Sequence, residues 1–257
     1  LGDLNGDGFL DIVAGNDGSS SASVLLGNGD GTFKAKVDYA TLTQPRSVAL
    51  GDLNGDGVLD IVATDYSSSS TSVLLGNGDG TFKAKSDFVT GFASFVTLGD
   101  LNGDGFLDIV TANGGNVCAA VLLGNGNGTF KARATYGTNS GPSNVALGDL
   151  NGDGVLDIVT MNNGGGNASV LLGNGDGTFQ ARTDFGTPGG GRGLALGDLN
   201  GDGILDIVVA GASAVVLLGN GDGSFKANVN FVTGTSPWSV ALGDLNGDGF
   251  LDIATAN

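Results

Sequence analysis

The chain has 257 residues, of which 40% are hydrophobic and only 14% are charged, and its formal net charge is −17. This apolar content excludes a disordered acidic segment, and the negative charge disfavours nucleic acid and anionic membrane surfaces as partners. All 27 acids are aspartate, histidine is absent, and the single Cys118 excludes an internal disulfide framework. No apolar run reaches membrane-spanning length, so we expect no membrane insertion.

A nine-residue motif begins at Asp3 and reads Asp-Leu-Asn-Gly-Asp-Gly-x-Leu-Asp, where x is Phe, Val or Ile. Five further copies follow at spacings of 46 to 49 residues. Oxygen side chains at positions 1, 3, 5 and 9, around glycines that permit a tight turn, are typical of a Ca²⁺ loop. Ca²⁺ takes six to eight oxygen ligands. The motif therefore predicts about six bound Ca²⁺ ions, one per repeat.

In each copy we expect the side chains at positions 1, 3, 5 and 9 and the backbone carbonyl of position 7 to bind the ion, with water completing the shell. Three acids in each of six loops account for 18 of the 27 acids, so six Ca²⁺ ions would change the net charge from −17 to about −5. The predicted ligands are Asp3, Asn5, Asp7, Phe9, Asp11, Asp52, Asn54, Asp56, Val58, Asp60, Asp100, Asn102, Asp104, Phe106, Asp108, Asp149, Asn151, Asp153, Val155, Asp157, Asp198, Asn200, Asp202, Ile204, Asp206, Asp244, Asn246, Asp248, Phe250 and Asp252.

A helix-loop-helix calcium site starts in the same way, but it needs an acidic residue at position 12 and a helix after it. Here position 12 is Ala, Thr or Val, and a β-branched run such as Ile61-Val62 follows the motif. The same evidence argues against a dockerin-like module. The loop is therefore predicted to connect two β-strands.

Each period contains four short apolar segments, which we name strands A to D. In the second period strand A covers residues 47–50, strand B 59–63, strand C 72–75 and strand D 82–85. The calcium loop connects A to B, and the turn Gly-Asn-Gly-Asp-Gly-Thr connects C to D. Four strands in about 49 residues are typical of a β-propeller blade, and 50 glycines leave no room for long helices.

We therefore predict an all-β fold, a single β-propeller domain over residues 1–257 with repeats that start at 3, 52, 100, 149, 198 and 244. Strands A and B occur six times and strands C and D five times, which gives five full four-stranded antiparallel blades plus an inner half-blade. A six-bladed ring with one incomplete blade is one interpretation. The missing strands could also lie in further sequence, since the chain begins inside a motif, or come from another molecule.

The calcium loops and the Val-Leu-Leu-Gly-Asn-Gly-Asp-Gly-Thr-Phe segments resemble the FG-GAP/VCBS repeat family over the whole chain. Similar loops are found in integrin α-subunit propellers and in certain sugar-binding propeller lectins. The resemblance implies a Ca²⁺-binding β-propeller. The Gly-Ala-Pro element of the family name is absent, which points to bacterial-type repeats, and Asn at position 3 removes one charge and is expected to weaken each site.

The predicted topology places the A–B loops and C–D turns at one end of each blade and the B–C and D–A loops at the other. The first set hardly varies, whereas the second set differs in every repeat, so a specific function is expected at the varied end. Trp238 either stacks on a sugar ring there or fills a gap between blades. The aromatics Tyr39, Tyr66, Phe92, Tyr136 and Trp238 are interpreted as lying out of register, which disfavours a lectin.

Catalysis has little support, because there is no histidine, no glutamate and no base beside Cys118. We expect a non-enzymatic, calcium-stabilised module, extracellular or at the cell surface, with a role in structure, adhesion or assembly. Protein partners or self-assembly, including filaments, fit this interpretation. The alternative is a glycan-binding propeller that uses the varied loops.

Overall fold

The computed structural model describes residues Leu1 to Asn257, and it contains strands, turns and loops. No helix in it is long and apolar enough to cross a membrane. The strands form six separate antiparallel sheets, and hydrogen-bonded neighbours are consecutive in the sequence. The all-β class predicted from the repeats is confirmed.

The sheets follow one another in chain order. The first contains β1 (Ile12–Asn16), β2 (Ser21–Leu25) and β3 (Val37–Ala40). The second contains β4 (Pro45–Gly51), β5 (Asp60–Asp65), β6 (Ser70–Leu74) and β7 (Ser86–Val89). The third contains β8 (Ala93–Gly99), β9 (Asp108–Asn113), β10 (Cys118–Leu122) and β11 (Ala134–Gly137). The fourth contains β12 (Pro142–Gly148), β13 (Asp157–Asn162), β14 (Asn167–Leu171) and β15 (Thr183–Gly186). The fifth contains β16 (Gly191–Gly197), β17 (Asp206–Gly211), β18 (Ala214–Leu217) and β19 (Val229–Phe231), and the sixth β20 (Ser239–Gly243) and β21 (Asp252–Ala256).

The strand count agrees with five blades and an inner half-blade. Sheets two to five have four strands each, and the sixth has only the inner pair. In the first sheet strand A is represented by one antiparallel bridge between Gly2 and Asp11. The backbone of β21 is therefore paired on one side only.

The predicted position of strand D was wrong by about four residues. In the second sheet the outer strand is Ser86–Val89, whereas the predicted segment 82–85 forms only an isolated bridge from Phe82 to Gly76. The cause is a bulge: Ser86 pairs with Val73, so the two residues between Val73 and Gly76 face the three between Phe82 and Ser86. Lys83 and Lys85 therefore lie in this bulge rather than in the strand.

The chain forms two compact units. One comprises Leu1–Asp100, Asp104–Asn116 and Ala120–Thr135, and the other Leu101–Gly103, Val117–Ala119 and Tyr136–Asn257. The first unit has hydrophobic clusters between consecutive sheets, around Ile61 and Leu74 and around Val62 and Ile109. The second has a cluster around Val159, Met161 and Val209. The strand B segments are buried along their whole length in sheets two to five, as expected for strands apolar on both faces.

Aromatic residues of the outer strands also join consecutive sheets, which corrects the prediction that the aromatics lie out of register. Tyr39 and Tyr136 occupy the same strand position as Phe88 and Phe185. Each ring packs edge-to-face on a phenylalanine that follows the next C–D turn, at centroid distances of 5.0–5.1 Å. Alternation between Tyr and Phe concealed this repeat.

Candidate functional sites

The first aspartate of each motif organises its loop. The Asp3 carboxylate accepts the backbone N–H groups of Gly6 and Gly8 at 2.8 Å and that of Asp7 at 3.2 Å. The bond from Gly8 is the main cause that lowers the pKa of Asp3 below its ordinary value. Gly6 and Gly8 have φ of 73° and 85°, a left-handed conformation that favours glycine, so the loop needs both.

Positions 3 and 5 complete the exposed half of the loop. The Asn5 side-chain oxygen accepts the N–H of Asp7 at 2.9 Å, and Asp7 accepts the N–H of Phe9 at 3.0 Å. The Asn5 amide also donates to Asp7 at 3.0 Å. The two bonds from backbone N–H groups recur in other loops, for example at Asp56 in the second sheet. Three oxygen-bearing side chains are thus held within one short loop.

The aspartate at position 9 has a different environment. Asp60 is fully buried, and its carboxylate accepts the N–H of Leu53 at 2.9 Å and that of Gly76 at 2.8 Å. It therefore ties the start of the calcium loop to the start of the C–D turn. Burial raises the pKa of Asp60, and the two backbone N–H groups counteract this effect. The sequence prediction assigned this residue to the metal and did not anticipate the connection. The sequence did contain a signal for this connection, because a glycine follows the Val-Leu-Leu segment in every repeat that has one.

The donor set fits Ca²⁺ in its chemistry, because each loop offers only oxygen ligands and its carboxylates retain lone pairs beyond the bonds described. No three acidic or cysteine side chains are grouped closely enough to hold a metal ion. In the first loop Asp3, Asn5 and Asp7 are the accessible donors, while both oxygens of Asp11 bind backbone N–H groups at 2.7–2.8 Å. Calcium binding, and position 9 as a direct ligand, therefore stay predictions.

The aspartates of the C–D turns stabilise the turn itself. Asp79 accepts the N–H of Thr81 at 2.9 Å and its hydroxyl at 2.5 Å. In the third sheet Asn127 makes the same two bonds to Thr129, at 3.0 Å and 2.6 Å. An amide oxygen serves as well as a carboxylate oxygen, so these bonds do not require a metal ion at the turn.

The side chain at position 7 covers the same turn. A Cβ added to Gly29 would lie 2.4 Å from the Phe9 ring, and one added to Gly126 would lie equally close to Phe106. Only glycine fits under these side chains. The residue at position 7, whose backbone carbonyl is predicted to bind the ion, therefore also uses its side chain to pack the calcium loop against the C–D turn.

The opposite, varied-loop end carries a cleft of about 390 Å³ in the second unit. Its lining includes Asn163, Arg192, Ala212, Pro237 and Trp238, and no acidic residue. The Arg192 guanidinium carbon lies 3.6 Å from the centroid of the Trp238 ring, a cation–π contact. In the first unit Arg46 lies in the same way over Tyr66, at 4.0 Å.

Comparison with solved structures supports the fold. One similar structure is a lectin from Agrocybe aegerita that recognises non-reducing terminal N-acetylglucosamine, with 22% identity, a TM-score of 0.60, and coverage of 96% of this chain and 74% of the lectin. Another is BBS1N in complex with ARL6DN, with 13% identity, a TM-score of 0.68, and coverage of 99% and 74%. A third is the Vibrio cholerae biofilm matrix protein Bap1, with 22% identity, a TM-score of 0.59, and coverage of 94% and 40%. At these identities the similarity concerns the β-propeller fold alone.

No curated protein matches the sequence significantly. The FG-GAP-like repeat model matches five times, at residues 3–63, 53–111, 100–160, 157–209 and 207–255. These matches cover nearly the whole chain, and each of them contains at least one complete copy of the nine-residue motif. The protein belongs to the FG-GAP repeat family and has its β-propeller fold.

Proposed function

We propose that this protein is a non-enzymatic extracellular module for adhesion or assembly, whose fold is stabilised by one Ca²⁺ ion per repeat. The observation that supports this proposal most strongly is the repeated loop. In its first copy Asp3 and Asp7 offer carboxylate oxygens and Asn5 offers an amide oxygen at the surface. Extracellular calcium modules bind with dissociation constants of about 10⁻⁴–10⁻³ M. Calcium concentrations outside cells suit such weak sites.

Calcium is expected to supply much of the folding free energy. At two to twenty times the dissociation constant each site contributes roughly 0.6–1.8 kcal/mol, or about 4–11 kcal/mol for six independent sites. This is comparable to the whole stability of a typical domain. Thermal unfolding in calcium and in excess EDTA, followed by circular dichroism, tests the proposal. An EDTA melting curve equal to the calcium curve would refute it.

The assembly role is supported by apolar surfaces on the first and the last sheet. The motif leucine at position 2 is buried in sheets one to four, at Leu4, Leu53, Leu101 and Leu150, but Leu245 of the last sheet is 72% exposed. In the first sheet Leu10 is 62% exposed. The edge of β21 also has free pairing capacity. We propose that further sheets of the same repeat type cover these surfaces, from the same polypeptide or from another copy.

Light scattering tests the assembly role. In calcium we expect this 257-residue chain to form species larger than a monomer, in a concentration-dependent way. Leu245→Asp places a charge on the exposed face and is expected to shift the mass towards the monomer, whereas Ala132→Asp, a charge at an exposed position elsewhere, should leave it unchanged. A monodisperse monomer at all concentrations contradicts self-assembly.

A second candidate function is glycan binding at the varied loops. The cleft that contains Trp238 favours it, because an exposed indole ring is a suitable platform for a sugar ring. A glycan array, screened with and without calcium, tests this candidate directly. Binding that requires the cleft but not the calcium loops would favour it over adhesion through protein partners.

A further inference from the structure

We propose that the cleft at Arg192 and Trp238 binds acidic saccharides, with the carboxylate of a hexuronate unit on the Arg192 guanidinium. This inference rests on the second proposed function, glycan binding by the varied loops. The ligand class follows from the charge, the support and the shape of the cleft.

The guanidinium of Arg192 is available for an anion. Arg192 takes part in no ion pair, as is true of seven of the ten basic residues, because only Lys36, Lys85 and Arg182 pair with an aspartate. None of the cleft residues is acidic. The Arg192 guanidinium carbon lies 3.6 Å from the centroid of the Trp238 ring. A guanidinium that contacts an aromatic face in this way can still offer N–H groups to a carboxylate through two parallel hydrogen bonds.

The backbone around Arg192 is held in place by the preceding sheet. The Asn144 side-chain amide donates to the Arg192 carbonyl at 3.0 Å, and the Ser143 hydroxyl donates to the Gly191 carbonyl at 3.1 Å. On the other side of the cleft the backbone N–H of Trp238 donates to the Ala256 carbonyl at 2.8 Å. Both stacked residues are therefore anchored by their backbone, which reduces the entropy lost on binding.

A glycine allows the stack to form. A Cβ at Gly193 would lie 2.8–2.9 Å from backbone atoms of Ser239 and Val240, so a larger residue would push β20 away. The corresponding positions in other sheets are Ser47, Phe95 and Asn144. Because these other sheets have larger residues at this position, the close approach that brings Trp238 to Arg192 is specific to the fifth and sixth sheets.

The apolar part of the site suits a pyranose ring. Trp238 is 61% exposed, so much of its ring surface is not covered by Arg192. The Asn163 side chain on the cleft wall can hydrogen-bond to hydroxyl groups. A volume of about 390 Å³ accommodates one or two sugar units. The carboxylate requirement comes from Arg192, and the preference for a sugar over a simple anion comes from Trp238.

The experiment is a calorimetric titration of the 257-residue chain with tetragalacturonate and with neutral galactotetraose, both in the same calcium buffer. We expect the acidic tetrasaccharide to bind and Arg192→Ala to weaken this binding about 10- to 100-fold. Arg192→Lys keeps the charge but loses the planar fork and is expected to recover only part of the affinity. Arg46→Ala is the matched control, because Arg46 holds the same strand position over Tyr66, and it should bind like the parent chain.

Each other outcome overturns the inference in a distinguishable way. Equal affinity for the neutral tetrasaccharide would refute the acidic class and keep glycan binding. No affinity for either sugar would refute this inference, and a glycan array without any bound sugar would refute glycan binding as well. If Arg192→Ala bound tetragalacturonate with the affinity of the parent chain, the ligand would lie elsewhere, for example on calcium in the loops. Tighter binding of a peptide through its terminal carboxylate would show a protein ligand. Melting curves of the variants, expected to equal that of the parent chain, exclude misfolding as the cause of lost binding.

Discussion

The loops at the two ends of each sheet satisfy their backbone hydrogen-bonding groups by different means. At the calcium-loop end repeated aspartate side chains add bonds to those of the backbone, as where Asp60 accepts the N–H groups of Leu53 and Gly76. At the varied end the repeated bonds join two backbone groups: the N–H of Thr41 donates to the Ser20 carbonyl at 3.0 Å, and that of Thr90 to the Ser69 carbonyl at 3.2 Å. A bond made by a side chain requires the same residue in every repeat, whereas a bond made by the backbone permits sequence variation.

The varied loops therefore share a backbone plan. The residue before each strand C has a positive φ in sheets one to four, although its identity changes: Ser20, Ser69, Val117 and Gly166. Each accepts a bond from a threonine that follows the outer strand: Thr41, Thr90, Thr138 and Thr187. Substitutions at the calcium-loop end are expected to affect stability strongly, and those at the varied end to affect mainly recognition.

The largest effect is expected for Asp60→Ala. The substitution leaves the N–H groups of Leu53 and Gly76 without a buried partner, and bonds to a charged group contribute about 1.5–3 kcal/mol each, so we expect a loss of roughly 3–6 kcal/mol. The loss should appear in EDTA as well as in calcium, because the role of Asp60 does not depend on metal. Chemical denaturation in both buffers measures it. A loss confined to the calcium buffer would mean that Asp60 acts only as a ligand.

A smaller, metal-dependent effect is expected for Asp56→Ala in the same loop. Asp56 is exposed and accepts only the N–H of Val58, so its removal in EDTA should cost less than about 1 kcal/mol. In calcium the lost site adds about 0.6–1.8 kcal/mol to this cost. Native mass spectrometry should count five ions instead of six, since each site is local to its repeat. A loss of all bound metal would show that the sites are coupled.

Asp184→Asn tests an anchor at the varied end and is expected to cost about 0.5–1.5 kcal/mol at neutral pH. Burial acts to raise the pKa of Asp184, but hydrogen bonds from Ser169, Arg182 and Asn139 outweigh it and lower the pKa below its ordinary value. A lowered pKa stabilises the fold above the unfolded pKa near 4, and this contribution is lost as the pH falls through the folded pKa.

Comparing the two proteins from pH 7 to pH 3 measures this contribution. The difference in free energy of unfolding between the parent chain and Asp184→Asn should shrink below about pH 4. The corresponding Ser–Asp pair is absent from the third sheet, where Ala120 and Thr135 stand instead, so Thr135→Asp is a matched control without a serine partner. A difference that stays constant with pH would show that the carboxylate charge is not involved.

The sequence was sufficient for the fold because its signals are local and repeated. The six motifs, the glycine turns and the strand order predicted the sheets, including the incomplete sixth one. The errors have physical causes: the bulge that moves the outer strand to Ser86–Val89 depends on pairing with β6, and the role of Asp60 depends on a glycine 16 residues away. The stack of Arg192 on Trp238 could not be predicted, because it joins two sheets across 46 residues of chain.

The burial of the position-2 leucines under the following sheet has a consequence for synthesis on the ribosome. The Leu4 carbonyl accepts the N–H of Gly80, and the Leu53 carbonyl that of Gly128, so each loop is completed by residues 75 or 76 positions later. At translation rates of about 5–20 residues per second this delay is roughly 4–15 s. We expect every calcium loop to stay protease-sensitive until the next repeat has left the exit tunnel. Proteolysis of two stalled chains, one with the second C–D turn still inside the exit tunnel and one with this turn outside it, would measure this dependence, and equal sensitivity would contradict it.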